Sequence, residues 1–326
     1  MESFEHINVT TVAEAIKALK YYNGRAALIA GGTDLLPILK DRIVRTYPKA
    51  VINIKTVPGL SFIKEDGRGL KVGAMTKLAD IAVSPHVSLY YRGLAEAALS
   101  VATPEIRNMG TLGGNLCQDV RCWYYRYPHH MGGRIICRRK GGRSCPALQG
   151  DNRYHSIMGG KGCFAVCSSD LAMMLAALDA KLIIAGPDGK RSVAAEAFFE
   201  PLGNKLMPHE LLTEVRIPKP KKPGRQTYLK YTLRKPIDFA VVSCASFLTL
   251  EDNLCTDARI VLGGVAPYPV RAVRSEEAIK GQTIDAATAA HAAEEAVQCA
   301  KPLSGNGYKI EIAKALVKRA ILGEKL

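Results

Sequence analysis

The chain has 326 residues, 48% of them apolar and 23% charged, the balance of a globular protein with enough apolar material for a core of its own. This excludes wholesale disorder, a collagen-like fibre and a small disulfide scaffold, and charge-free runs such as 239–250 fall short of the ~20 residues a membrane span needs. Forty-five Lys and Arg against 30 Asp and Glu leave a net charge of +15, compatible with nucleic acid, an acidic membrane or a large acidic partner, and informative about association rather than fold. The opening MESFEH has no basic stretch, apolar core or twin-arginine pair, so a cytoplasmic protein is expected.

In chain order, residues 1–54 read as α/β. Thr11 with Glu14 fits a capping box before a helix over 12–22. A short apolar strand over 26–30 runs into Gly31-Gly32-Thr33-Asp34, and a second strand is expected over 51–54. Beyond it, strands are expected around 61–64 and 70–72. Thr76 is expected to cap a helix reaching about residue 83, and a helix over 94–102 to end at Thr103-Pro104. The following stretch, 107–115, is too glycine-rich for an element interior. After an apolar segment over 171–178, strands are expected over 181–185 and 211–217. Pro218-Lys219-Pro220-Lys221-Lys222-Pro223-Gly224 then reads as a domain boundary, stiff and unable to enter a sheet interior. The remainder predicts strands over 240–250 and 257–262 and helices over 286–300 and 308–322, the last closed by Gly323.

Residues 117–163 differ from everything around them. They hold nine basic and two acidic residues and five cysteines, with no helical or strand period. A long structureless stretch inside a compact domain needs something to hold it together, and bound metal would do so. Six of the nine cysteines fall within 51 residues: Cys117, Cys122, Cys137, Cys145, Cys163 and Cys167. Without a secretion signal, clustered cysteines read as metal ligands or redox groups. Four thiolates can hold a [4Fe–4S] cluster or structural zinc, and the absence of a C-x2-C pair weakens a zinc ribbon or finger. Cys244, Cys255 and Cys299 sit in apolar elements and read as core residues. His129, His130 and His155 read as solvated or packing residues more readily than as ligands.

Two loops share one composition: Ala30-Gly31-Gly32-Thr33-Asp34 and Thr111-Leu112-Gly113-Gly114-Asn115. Each combines a hydroxyl, a glycine pair and a polar side chain, a pattern that lets backbone N–H groups approach a phosphate. Either loop alone also fits an ordinary turn, and neither matches the Walker or G-x-G-x-x-G fingerprints.

Together the loops resemble the two phosphate-binding loops of the FAD-binding medium subunit of the molybdenum hydroxylases, the xanthine dehydrogenase and carbon monoxide dehydrogenase group. The resemblance covers nearly the whole chain. It continues through Val72-Gly73-Ala74-Met75-Thr76, Ser169-Asp170-Leu171-Ala172, Lys230 with Arg234 and Asp238-Phe239-Ala240, and Tyr308-Lys309. It implies an α+β fold. A two-subdomain FAD-binding domain of the vanillyl-alcohol oxidase type spans 1–218, with subdomains 1–54 and 55–218 and a Cys-rich insertion over 117–163. A C-terminal α+β domain, an antiparallel sheet with helices, spans 225–326. By resemblance, Leu28, Ile29, Ala30, Gly31, Gly32, Thr33, Asp34 and Leu35 wrap the FAD pyrophosphate and ribityl. Thr111, Gly113, Gly114 and Asn115 close from the other side. Asp170 bonds the ribityl or a neighbouring polar group, and Leu212 and Lys230 lie near the isoalloxazine, where a lysine cation favours the anionic reduced ring.

Most members of the family run straight from the Gly-Gly-Asn loop to the Ser-Asp segment. The several dozen extra residues resemble one subgroup, the β subunits of 4-hydroxybenzoyl-CoA reductases, which carry an additional [4Fe–4S] cluster there. Matching Arg121-Cys122-Trp123-Tyr124-Tyr125 and Gly162-Cys163-Phe164-Ala165-Val166 to that pattern implies the ligands Cys122, Cys137, Cys145 and Cys163; the spacing alone leaves Cys163 and Cys167 interchangeable. Arg121, Arg138, Arg139 and Arg143 are expected to offset the cluster's negative charge or to face an acidic carrier. The subgroup implies a dimer of heterotrimers with a large molybdenum-cofactor subunit and a small [2Fe–2S] subunit. Electrons from a ferredoxin-like donor would reach molybdenum through the cluster, FAD and [2Fe–2S], giving benzoyl-CoA. No catalytic acid/base pair or nucleophile is expected in this chain. Two rival readings are a heterocycle- or aldehyde-oxidising complex passing electrons from FAD to NAD or another acceptor, and a zinc-stabilised nucleic-acid-binding module. Low aromatic content and the lack of finger spacing count against the last, so neither membrane nor nucleic acid is expected as a partner.

Overall fold

The computed structural model describes residues 1–235 and 237–326. No helix among them is long and apolar enough to cross a membrane. Near the N-terminus, helix Val12–Tyr22 starts at Thr11, whose side chain accepts the Glu14 N–H at 3.1 Å. The Glu14 carboxylate reaches back to the Thr10 N–H at 2.7 Å, one residue earlier than in the simplest capping box. The helix buries Ala15 and Leu19 in an apolar cluster with Ile52 and Ile54. The sheet beneath it is parallel and three-stranded, in the order Glu5–Asn8, Ala50–Asn53, Ala26–Ile29.

The next unit is a five-stranded antiparallel sheet in the order Ile63–Asp66, Gly69–Gly73, Leu211–Pro218, Lys181–Gly186, Gly189–Ala194. Leu70, Val72, Leu182, Ile184 and Val215 from it share one core with Leu94, Ala97 and the wholly buried helix Asp170–Ala177. Local chemistry differs from expectation at three points. Thr76 does not cap a helix: its hydroxyl bonds the Phe62 backbone, and helix Leu78–Val83 starts at Lys77 without a side-chain cap. Thr103-Pro104 opens a new helix, Pro104–Met109, because proline fits a first turn whose N–H has no intrahelical partner. The glycine-rich stretch is itself partly helical, Leu112–Cys117, with the Thr111 hydroxyl accepting the Gly114 N–H at 3.1 Å. Gly113 is demanded by packing, since a Cβ there would lie 2.9 Å from the Ala74 Cβ.

The C-terminal part is a four-stranded antiparallel sheet in the order Arg225–Tyr231, Val242–Glu251, Leu254–Gly263, Val270–Arg271. The first of these strands was not among the expected elements. Helices Ala286–Val297 and Tyr308–Leu322 join this sheet in a second core through Ala293, Leu316, Val317 and Ile321. Residues 117–163 carry no strand and only three single turns of 3-10 helix after Cys117: His129–Met131, Arg138–Lys140 and Pro146–Leu148. The segment is pinned by backbone pairing of Arg121 with Val166 and by a small apolar cluster of its own.

Candidate cofactor site

The two glycine loops meet. Leu28, Ala30, Gly31, Gly32, Thr33, Asp34 and Leu35 line one wall of a cleft of about 570 Å³, and Thr111 and Gly114 line the facing wall. Leu28 and Ala30 face the cleft while Ile29 does not, as strand alternation requires. A second cavity of about 240 Å³ shares Thr33, Asp34, Thr111, Gly114, Gln118 and Ser168 with the first and adds Asn115, Asp170, Lys230 and Phe239. The glycines serve the approach of loop to loop. A Cβ on Gly31 would lie 2.0 Å from the Met109 carbonyl oxygen, and Gly32 has φ +74°. Gly113 and Leu212 line neither cavity; Leu212 is in the core.

Polar groups in the smaller cavity are mutually bound. The Ser169 hydroxyl donates to Asn115 Oδ1 at 2.6 Å and accepts the Ala172 N–H at 3.1 Å, which fixes the start of helix Asp170–Ala177. Asp170 then accepts from Tyr228 at 2.7 Å and from Lys230 at 2.7 Å, and Lys230 also donates to the Ser100 carbonyl at 2.9 Å. Burial first, then the Asp170 carboxylate, pushes the Tyr228 hydroxyl well above its ordinary pKa. Lys230 therefore presents a neutralised pair to the cavity rather than a free cation. Tyr228 and Ser100 escaped the sequence reading, and Ser169 entered it only within the Ser-Asp stretch, with no role assigned.

Asp34 turns toward the cysteine segment. Its carboxylate accepts from Arg121 at 2.9 Å, from Arg126 at 2.9 Å and from the Asp119 N–H at 2.9 Å. Arg121 and Arg126 flank Cys122 in sequence, so the glycine loop and the cysteine segment are tied by ion pairs. Burial first, then Arg126, holds the Arg121 pKa down to about 10.

Cys122, Cys137 and Cys163 belong to one small apolar cluster, and Cys145 adjoins it. Burial, with Cys145 and Cys163 adding, pushes the Cys122 thiol up to about 12. Burial, with Cys163 and Cys137 adding, raises that of Cys145. Cys117 and Cys167 pack with the large core instead, and burial raises them to about 12 and about 11. Cys244 and Cys255 are buried, while Cys299 is exposed and not in the core. Among the described residues no three side chains of metal-binding type stand close enough to grip a single ion. A tetrahedral zinc with ~2.3 Å bonds needs its thiolates within about 4 Å of one another, whereas a four-iron cluster interposes its own atoms between them.

Lys140 lies beside these thiols. It is 4% exposed, its Nζ has no hydrogen-bond partner, and it sits 5.6 Å from the Tyr125 ring. Burial lowers its pKa, while Cys137 and Cys122 in thiolate form pull the other way. An unpaired buried cation is costly beside neutral thiols and satisfied beside an anionic group. Three of the four arginines expected in this role are engaged elsewhere: Arg121 with Asp34, Arg139 with Asp119 and the Pro201 carbonyl, and Arg138 with the Arg143 carbonyl. His155 is neither solvated nor mere packing. It is 3% exposed, its Nε2 lies 3.2 Å from Cys122 Sγ, and burial, then Lys309, holds its pKa down to about 4.

This architecture, two facing glycine loops over a long cleft with a second α+β unit supplying Lys230, defines a flavoprotein subunit. The FAD binding domain in molybdopterin dehydrogenase matches residues 2–220, and the CO dehydrogenase flavoprotein C-terminal domain matches 227–323. The chain belongs to the FAD-binding medium subunits of the molybdenum hydroxylase family. It is 33% identical over 323 residues to the FAD-binding subunit of an aldehyde oxidoreductase of Escherichia coli (strain K12), covering 96% of each chain. It is 30% identical to the carbon monoxide dehydrogenase medium chain of Hydrogenophaga pseudoflava, over 98% of this chain and 96% of that one. Among solved structures, quinoline 2-oxidoreductase from Pseudomonas putida 86 superposes with a TM-score of 0.78 at 28% identity, over 99% of this chain and 96% of that one.

FAD fits the residues present. A dinucleotide needs a long cleft with tight backbone approach at its middle, which the two loops provide, and a polar end, which Asn115, Asp170 and Lys230 provide. Bound FAD supplies hydride and single-electron chemistry. The residues lining the cleft would position it, with the neutral Asp170–Lys230 pair at the polar end of the cavity.

Proposed function

We propose that this chain is an electron-transfer subunit with two redox centres: FAD in the cleft of the 1–218 domain, reached by Lys230 of the 225–326 domain, and a [4Fe–4S] cluster on Cys122, Cys137, Cys145 and Cys163. One observation supports the cluster: the four thiols are mutual neighbours, and two of them, Cys137 and Cys122, stand near the buried ammonium of Lys140, which lacks any partner. Four thiolates bearing a cluster have net negative charge, which Lys140 would balance. The assembly fitting this chain is a cytoplasmic dimer of heterotrimers with a large molybdenum-cofactor subunit and a small [2Fe–2S] subunit; relatives named as medium chains support a multi-subunit complex.

For the reaction, we take reductive dehydroxylation of 4-hydroxybenzoyl-CoA at the molybdenum subunit, with electrons from a ferredoxin-like donor. Its support is the cysteine-bearing insertion. A second reading, aldehyde oxidation, is favoured by the full-length likeness to an aldehyde oxidoreductase subunit. The test is to co-express the three subunits, purify anaerobically and count iron, acid-labile sulfide and flavin. The proposal expects four irons per FAD beyond the [2Fe–2S] complement, lost in Cys137→Ser and Cys145→Ser. Flavin without the extra iron, or zinc in its place, overturns it. Benzoyl-CoA formation with a reduced one-electron donor, set against aldehyde-dependent acceptor reduction, decides between the two reactions.

A further inference from the structure

His155 lies where the cysteine segment meets the C-terminal domain. Its N–H donates to the Asn152 carbonyl at 2.9 Å. Its own carbonyl accepts from Lys309 Nζ at 3.0 Å and from Asn306 Nδ2 at 3.1 Å. Lys309 is fully buried, and its ammonium is also bonded by the carbonyls of Tyr154 and Gly264. The imidazole is boxed by the rings of Trp123 and Tyr124, at centroid distances of 5.5 and 5.6 Å. One nitrogen, Nε2, reaches Cys122 Sγ at 3.2 Å; the other, Nδ1, is buried without a partner.

A thiolate that binds iron carries no proton. The proton of the Nε2···Sγ contact must then sit on the imidazole, and the sulfur selects the Nε2–H tautomer. A hydrogen bond to a cluster sulfur stabilises the more negative, reduced form and so raises the reduction potential. We infer that His155 sets the potential of the cluster by donating Nε2–H to the Cys122 sulfur, held in place from the C-terminal domain by Lys309 and Asn306; the inference rests on the cluster reading above. His155 is on this account a positioning residue, and its backbone clamp makes the C-terminal domain part of the cluster's environment.

The test uses the intact, anaerobically purified complex with His155→Phe and His155→Gln. Iron and sulfide are counted first, and the cluster potential is then read by EPR-monitored titration. The Phe variant is expected to shift the reduced-to-oxidised ratio about tenfold toward the oxidised form at fixed solution potential, 59 mV for a one-electron couple. The Gln variant, which keeps an N–H donor, recovers part of the shift, and the flavin potential stays put. Independently, wild-type complex labelled with 15N-histidine is expected to show a nitrogen hyperfine coupling in its reduced-cluster spectrum. An unchanged potential in a fully iron-loaded Phe variant overturns the inference. So does the absence of 15N coupling in the wild type, whether or not the Phe variant assembles its cluster. A wild-type complex lacking the four extra irons is a different result, and it refutes the cluster reading itself.

Discussion

The Asp170–Lys230 pair is the sharpest place to perturb the smaller cavity. The two side chains are 5% and 7% exposed and meet at 2.7 Å. Lys230→Met removes the cation and leaves the Asp170 carboxylate buried with only the Tyr228 hydroxyl to support it. Removing one partner of a buried pair costs about 3–5 kcal/mol, because the remaining charge is uncompensated. For a unit of roughly 200 residues, in which each kcal/mol moves the midpoint by about 2–4 °C, this is a drop of about 6–20 °C. Flavin fluorescence, recovered as FAD leaves the melting protein, reports the midpoint directly. The control is Asp170→Asn with Lys230→Met, which removes both charges and keeps an acceptor for Tyr228. It is expected to melt above the single Lys230→Met variant, since neutralising both sites abolishes the stranded charge. A Lys230→Met protein that melts within 2 °C of wild type, or a double variant no more stable than the single one, would refute the argument that the pair is a scaffold of the cavity.

Three further outcomes follow from the same geometry. Gly31→Ala places a Cβ 2.0 Å from the Met109 carbonyl oxygen, which forces the loops apart; an overpacking cost of about 1–3 kcal/mol is read as flavin binding weakened roughly 5- to 150-fold in a titration of the deflavinated protein. Cys145→Ser is expected to remove the extra iron while Cys117→Ser and Cys167→Ser leave the iron count unchanged; loss of iron in Cys167→Ser would move the fourth ligand there. Asp34→Asn leaves Arg121 and Arg126 facing one another with a weakened acceptor, and is expected to lower iron and flavin content together; a loss of flavin alone would show that the two sites are independent.

Local chemistry made much of the fold legible. Helix Tyr308–Leu322 follows from apolar residues spaced by three and four with Gly323 after them, and helix Val12–Tyr22 from Thr11 and Glu14. The errors arose where packing overrides composition. Gly113 and Gly114 read as turn residues, yet a helix forms there because Ala74 leaves no room for a side chain and Thr111 caps the turn. Strand Arg225–Tyr231 alternates weakly and takes its order from pairing with Val242–Glu251. That the two glycine loops face one another was readable from their shared composition and their likeness to a known pattern. Their polar partners were not. Asp34 meets arginines some 90 residues away, Asp170 meets Lys230 60 residues away, and His155 reaches Cys122 across 33. Such pairings are set by the fold, and no local spacing encodes them.

The cysteine segment is therefore tied into the glycine-loop region by its own ion pairs. Asp34 belongs to the first glycine loop, yet its carboxylate accepts from Arg121, Arg126 and the Asp119 N–H, all within the cysteine segment. Asp119 in turn binds Tyr125 and Arg139, and Arg139 reaches the Pro201 carbonyl, next in sequence to the cleft-lining Leu202. Arg121 also stacks on Phe239, 4.1 Å from the ring centroid, at the boundary of the cavity that holds Lys230. The same residue thus touches the glycine loop, the segment carrying Cys122 and the loop of the C-terminal domain. Partly buried arginines of this kind are stable only while their acceptor is in place, so the order of the cysteine segment and the shape of the flavin cleft depend on each other.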